Sequence, residues 1–119
     1  MKVVINRCYG GFGLSHEAIM RYSELAGLNL VAVEDKEGFS FGGPNYYIDG
    51  VKDDDHFWYY YSLDRTDPNL VQAIEELGEE KASGRFAELK VVEIPDDVEF
   101  YVAEYDGNEW VAEKHRTWS

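Results

Sequence analysis

Apolar residues along this chain switch between two spacings, and the switches mark its elements. Residues 2–7 (KVVINR) form a short β-branched run and predict a strand. That run enters the glycine-dense stretch 8–14 (CYGGFGL), which predicts a turn. From residue 16 to residue 26 the spacing becomes helical, with Ala18, Ile19, Tyr22, Leu25 and Ala26 on one face. Ser15 is a suitable N-cap, Glu17 complements the dipole in the first turn, and Gly27 is the natural stop. Residues 28–33 are almost continuously apolar and predict a buried strand, so the chain opens as strand, helix, strand.

Residues 34–52 read as irregular around Gly38 and Gly42-Gly43-Pro44, apart from a strand candidate at Tyr46-Tyr47-Ile48. The aromatic run 56–63 (HFWYYYSL) predicts another strand. Asp67 caps a second helix that has Pro68 in its first turn, Leu70, Val71, Ile74 and Leu77 as its stripe, and Gly78 as its end. Residues 89–94 predict a strand stopped by Pro95, and 98–105 with 109–114 predict a hairpin turning at Asp106-Gly107. With no internal repeat, linker or low-complexity segment, the expectation is one α+β domain over residues 1–119. It should contain a mixed β-sheet of five to seven strands, two helices and a C-terminal β-hairpin.

Composition sets the outer limits. The chain is 119 residues long, 45% hydrophobic and 15% aromatic, enough for one core. Eleven Lys and Arg against 24 Asp and Glu give a formal charge of −13, which argues against direct binding to DNA, RNA or anionic membrane. One cysteine, Cys8, leaves no internal disulfide and no zinc site built on several cysteines. No basic start precedes an apolar leader, and no run approaches the ~20 apolar residues of a membrane span. The expected setting is the cytoplasm.

The acidity is uneven. Residues 1–30 hold three basic and two acidic side chains, so 31–119 hold 8 against 22, a net of −14. Clusters stand at Asp53-Asp54-Asp55, at Glu75-Glu76 with Glu79-Glu80, and in the four carboxylates of 93–99. Such runs are either a solvated face that favours a soluble monomer or a surface shaped for a basic, nucleic-acid-binding protein.

Within the stretch that is not acidic, a strand passes through glycines into a helix start. This is a geometry that offers free N–H groups to an anion. Arg7, Gly10, Gly11, Gly13, Ser15 and His16 are the candidate cradle for a phosphate-bearing ligand, with Arg7 and His16 as donors. The spacing matches neither a P-loop nor G-x-G-x-x-G. The competing reading is a tight turn that lets Phe12 enter the core. Cys8 and His16, with Asn6 as a conceivable orienting partner, are a weaker nucleophile–base candidate. Asp53-Asp54-Asp55-His56 does not have metal spacing, because neighbours in an extended segment point to opposite faces. Neither a cofactor nor a metal is expected.

In a regular strand, Phe57, Tyr59 and Tyr61 would share one face and Trp58 and Tyr60 the other. The expectation is that Trp58 and Tyr60 are outward stacking groups, the alternative being that a helix covers each face. An uncovered aromatic face would favour a dimer.

The stretch 5–15 (INRCYGGFGLS) resembles a group of small uncharacterised proteins of tailed bacteriophages and prophages. The resemblance extends over 74–78 (IEELG), 89–98 (LKVVEIPDDV), 105–107 (YDG) and 109–113 (EWVAE). It carries no activity or catalytic residues. What it implies is a phage accessory protein made inside a bacterium, and such proteins often block host defence or redirect host enzymes. The leading expectation is therefore a non-enzymatic binder that inhibits a host protein, in defence or nucleic-acid binding. Its contacts would be Asp53, Asp54, Asp55, Trp58, Tyr60, Glu75, Glu76, Glu79 and Glu80. Nucleotide sequestration at the glycine loop comes second, and a small Cys/His enzyme third.

Overall fold

A computed structural model describes residues 1–33 and 44–114. The irregular reading of 34–43 lies outside the described residues. The elements run β1 (Lys2–Asn6), α1 (His16–Ala26), β2 (Leu30–Val33), β3 (Asn45–Ile48), β4 (Phe57–Trp58), a 3₁₀ turn (Tyr60–Ser62), α2 (Pro68–Leu77), α3 (Glu79–Ala82), β5 (Leu89–Glu93), β6 (Phe100–Tyr105) and β7 (Asn108–Glu113). The α+β class holds.

The helices begin and end for local reasons. Ser15 Oγ accepts from the Ala18 N–H at 3.1 Å, and Gly27 closes α1 in the left-handed region at φ 72°. Asp67 accepts from the Asn69 N–H at 2.8 Å and Pro68 opens α2. The two helices pack together, burying Ala18, Ile19 and Tyr22 against Leu70, Val71, Ala73 and Ile74. Gly78 ends α2 as expected, at φ 92° and ψ 146°, but the four-residue α3 that follows is a third helix the sequence reading did not foresee.

The strands do not form the expected single mixed sheet. They pair antiparallel in three groups, β1 with β5, β2–β3–β4, and β6 with β7. β1 and β2 flank the first helix without pairing. The reason lies at the edges of β1–β5, which side chains and loops already occupy. Val4 N–H donates to the Arg65 carbonyl and Asn6 N–H to the Glu109 carboxylate, both at 2.8 Å. On the other edge Val91 N–H donates to Glu79 and Leu89 N–H to Ser83 Oγ. No edge remains for β2.

The aromatic run is also shorter as a strand than its composition suggests. Extended pairing stops at Trp58, and Ser62 Oγ donates to the Tyr59 carbonyl at 2.9 Å, closing a 3₁₀ turn instead. The C-terminal hairpin turns as expected, with positive φ at both Asp106 (52°) and Gly107 (91°).

Candidate functional site

Three surfaces meet near the N-terminus of α1: the glycine loop, a cleft beside it, and the outer face of the β2–β3–β4 sheet.

The glycine loop is built into the body. Asn6, fully buried at its root, donates through Nδ2 to the carbonyls of Cys8 (2.7 Å) and Gly107 (2.8 Å). Its Oδ1 accepts from the Glu88 N–H at 2.8 Å. A Cβ on Gly10 would fall 1.9 Å from the Phe86 carbonyl oxygen, and one on Gly107 would fall 2.7 Å from the Tyr9 oxygen. These glycines are therefore needed where three chain segments touch. Phe12 does enter the core, at 4% exposure, with the Arg65 guanidinium 3.6 Å above its ring.

The candidate cradle residues divide. Arg7 turns away to donate to the Glu109 carbonyl at 2.9 Å. Ser15 spends its hydroxyl on the helix cap and its N–H on the Ala82 carbonyl. No hydrogen bond joins Cys8 to His16 among the described residues; His16 Nδ1 instead contacts the Tyr46 hydroxyl at 2.7 Å. Ser15 and His16 do reach a ligand-sized space, the cleft next to the loop.

That cleft has a volume of about 430 Å³, within the roughly 300–1,000 Å³ of small-molecule sites. His16, Tyr46, Trp58, Tyr59, Tyr60 and Arg85 line it. Leu14 and Gly84 also line it, and behind them the Gly84 N–H donates to the Gly13 carbonyl at 2.9 Å, where a Cβ on Gly84 would lie 2.9 Å from the Gly13 carbonyl carbon. Burial raises the hydroxyl of Tyr60 above the ordinary tyrosine range, and burial together with the Glu17 charge does the same for Tyr46. Both stay protonated at neutral pH and can donate. Arg85, which the sequence reading did not single out, makes no ion pair or side-chain hydrogen bond among the described residues.

The expected acidic contact surface is largely committed to the protein itself. Glu75 pairs with Lys2 at 2.9 Å, Glu76 with Arg21 at 2.5 Å, and Glu79 accepts from β5. Asp53 takes both the N–H and ring Nδ1 of His56, and that contact holds its carboxyl below the usual range. All seven carboxylates are exposed, and those of Asp54, Asp55 and Glu80 have no partner among the described residues.

The aromatic faces are the reverse of the expectation. Trp58 is buried, stacked on Tyr22 at 5.9 Å and edge-on to Tyr46 at 6.3 Å, and Tyr60 is half-buried. Sheet register explains this: Tyr46 opposes Trp58 on the face turned to α1, whereas Val31, Tyr47 and Phe57 align on the other. Tyr59 stacks on Phe57 at 6.2 Å and Tyr61 packs edge-on to Tyr59 at 4.8 Å, lengthening that outer row. Val31 (39%), Phe57 (44%), Tyr59 (42%) and Tyr61 (61%) are exposed.

Sequence reasoning also missed Arg65 and Glu109. Glu109 is 4% exposed and holds the Arg65 guanidinium through two bonds, 2.6 and 2.9 Å. A signal existed: the Asp106-Gly107 turn fixes Glu104 opposite Glu109, and two facing carboxylates call for a cation.

The chain matches no protein-family model, no curated protein and no solved structure. Among the described residues, no three His, Cys, Asp or Glu side chains converge to hold a metal ion, and no helix is long and apolar enough to cross a membrane.

Proposed function

We propose that the protein is a binding module whose outer sheet face docks on an apolar, basic surface of another protein. One observation carries this reading: the row Val31–Tyr47–Phe57–Tyr59–Tyr61 presents mutually packed aromatic rings to solvent. Aromatic side chains are the commonest energetic anchors of interfaces, and each leaves a hydrated apolar surface that a partner would cover. The partner's charge follows from the neighbourhood. Asp53-Asp54-Asp55 form the turn that leads straight into β4, in a chain of net charge −13. A second copy would bring like charges together, so a basic partner fits better. Given the resemblance to phage proteins, that partner is a protein of the bacterial host, and occupying its basic surface inhibits it.

The test is capture from bacterial lysate with the intact chain, followed by purified-partner titration. Phe57→Ser with Tyr61→Ser should leave the fold intact, since both side chains are exposed. It should weaken capture by at least about thirtyfold, the value of one anchor of about 2 kcal/mol. Asp54→Asn with Asp55→Asn should reduce the salt dependence of capture. Glu75→Gln with Glu76→Gln should change it little, because those carboxylates already serve Lys2 and Arg21. Undiminished capture by the Phe57/Tyr61 variant refutes the proposal.

A further inference from the structure

The cleft beside the glycine loop suits a different and smaller partner. We infer that it binds a nucleoside monophosphate, with the base between tyrosine rings and the phosphate on Arg85 and His16. The cleft shares Phe57 and Tyr59 with the docking face, but its anion contacts, Arg85 and His16, belong to side chains outside the exposed row.

Three observations converge. The walls of the cleft are Tyr46, Trp58, Tyr59 and Tyr60, and a planar heteroaromatic ring gains stacking energy on such faces. Two nitrogen-bearing side chains, His16 and Arg85, line the same space and supply what a phosphate needs. Of the described arginines, Arg7, Arg21 and Arg65 are each held by a glutamate or its carbonyl, whereas Arg85 has no such hold. The contact between His16 Nδ1 and the Tyr46 hydroxyl at 2.7 Å holds the imidazole at the wall of the cleft.

The shape is pre-formed. Gly84 in the lining is fixed by its backbone bond to Gly13, and Tyr60 brings its hydroxyl to 3.4 Å from where a Gly13 Cβ would stand. A side chain at Gly84 would push the two segments apart. The glycine-rich signature thus acts less as a phosphate cradle than as the foundation of an aromatic slot. A polymer is disfavoured because a chain of −13 lacks the basic track that a nucleic-acid backbone requires. A free monomer needs only the local cation.

Titrate the full chain with AMP, GMP, CMP and UMP, and with the matching nucleosides and inorganic phosphate, by calorimetry and tryptophan fluorescence. At least one monophosphate should bind saturably and quench fluorescence. Trp58→Phe should remove most of that quenching without abolishing the calorimetric signal. Arg85→Ala should keep the melting temperature of the free protein and weaken binding about 10- to 100-fold, the value of a charge-assisted contact. No saturable binding by any monophosphate overturns the inference. Equal binding by Arg85→Ala overturns the phosphate contact, and inorganic phosphate binding as tightly as the nucleotide overturns the stacking slot.

Discussion

Glu109→Ala tests how the C-terminal hairpin is joined to the rest of the fold. The carboxylate is 4% exposed and accepts three bonds, two from Arg65 at 2.6 and 2.9 Å and one from the Asn6 N–H at 2.8 Å. Alanine removes all three. It leaves a guanidinium, 19% exposed in the intact protein, with the Val4 carbonyl at 3.3 Å and the Phe12 ring as its remaining contacts, and a buried amide with no acceptor. Removing one partner of a buried pair costs about 3–5 kcal/mol, and the partial exposure of Arg65 argues for the lower end. A loss of about 3 kcal/mol corresponds to a fall of roughly 12 °C in melting temperature for a domain of this size.

Urea unfolding at neutral pH measures the loss directly. The slope of free energy against urea should stay near the wild-type value if the hairpin unfolds with the body, and fall if it has come loose. The double variant Arg65→Met/Glu109→Leu should return to within about 1–3 kcal/mol of wild type, the residue being the unsatisfied Asn6 N–H. Hydrogen exchange at the Asn6 amide should quicken in both variants. A loss under about 1 kcal/mol for Glu109→Ala would refute the reasoning, because a buried pair with three bonds cannot be that weak unless water already reaches it.

The glycine loop gives a ranking: Gly10→Ala should destabilise more than Gly11→Ala. The first places a Cβ 1.9 Å from backbone, whereas the second meets no atom within 4 Å and carries only the strain of φ 92°, about 1–2 kcal/mol. Thermal melts decide it, and the opposite order would disprove the packing argument. Asp67→Ala removes the cap of α2 and the acceptor of the Tyr22 hydroxyl at 3.2 Å, and should cost about 1–2 kcal/mol in urea unfolding. The Arg21 guanidinium holds the Glu76 carboxyl down to about 2, well below the usual value of 4.5. Its stabilisation is therefore present above pH 4.5 and lost as pH falls towards 2. The gap in urea midpoint between wild type and Glu76→Gln should close over that window, and a gap constant with pH would contradict the pairing.

Local rules were legible where local chemistry decides. Ser15, Gly27, Asp67, Pro68 and the Asp106-Gly107 pair each act through atoms a few residues away, and each sits where its chemistry indicates. The aromatic run shows where that legibility ends. High β-propensity at 57–61 says nothing about Ser62 capturing the Tyr59 carbonyl, and that bond ends the strand. Which aromatic face is buried depended on register against β3, a non-local fact. The strand grouping was illegible for the same reason, since Arg65 and Glu109 reach the β1 edge from distant points in the chain.

The acidic clusters call for a division that composition hides. A carboxylate with an internal partner has part of its charge already balanced, so a second protein gains less by approaching it. Glu75, Glu76, Glu79 and Asp53 belong to that class, and together they brace β1, α1, β5 and the turn before β4. Asp54 and Asp55 do not: among the described residues their carboxylates have no partner, and they stand in the turn directly before the aromatic row. Net charge draws a basic surface from a distance, but binding energy collects where outward carboxylates border apolar rings that gain by losing water. In this fold those conditions coincide on the outer face of the three-stranded sheet, while Glu75, Glu76 and Glu79 of the run 75–80 face partners within the protein.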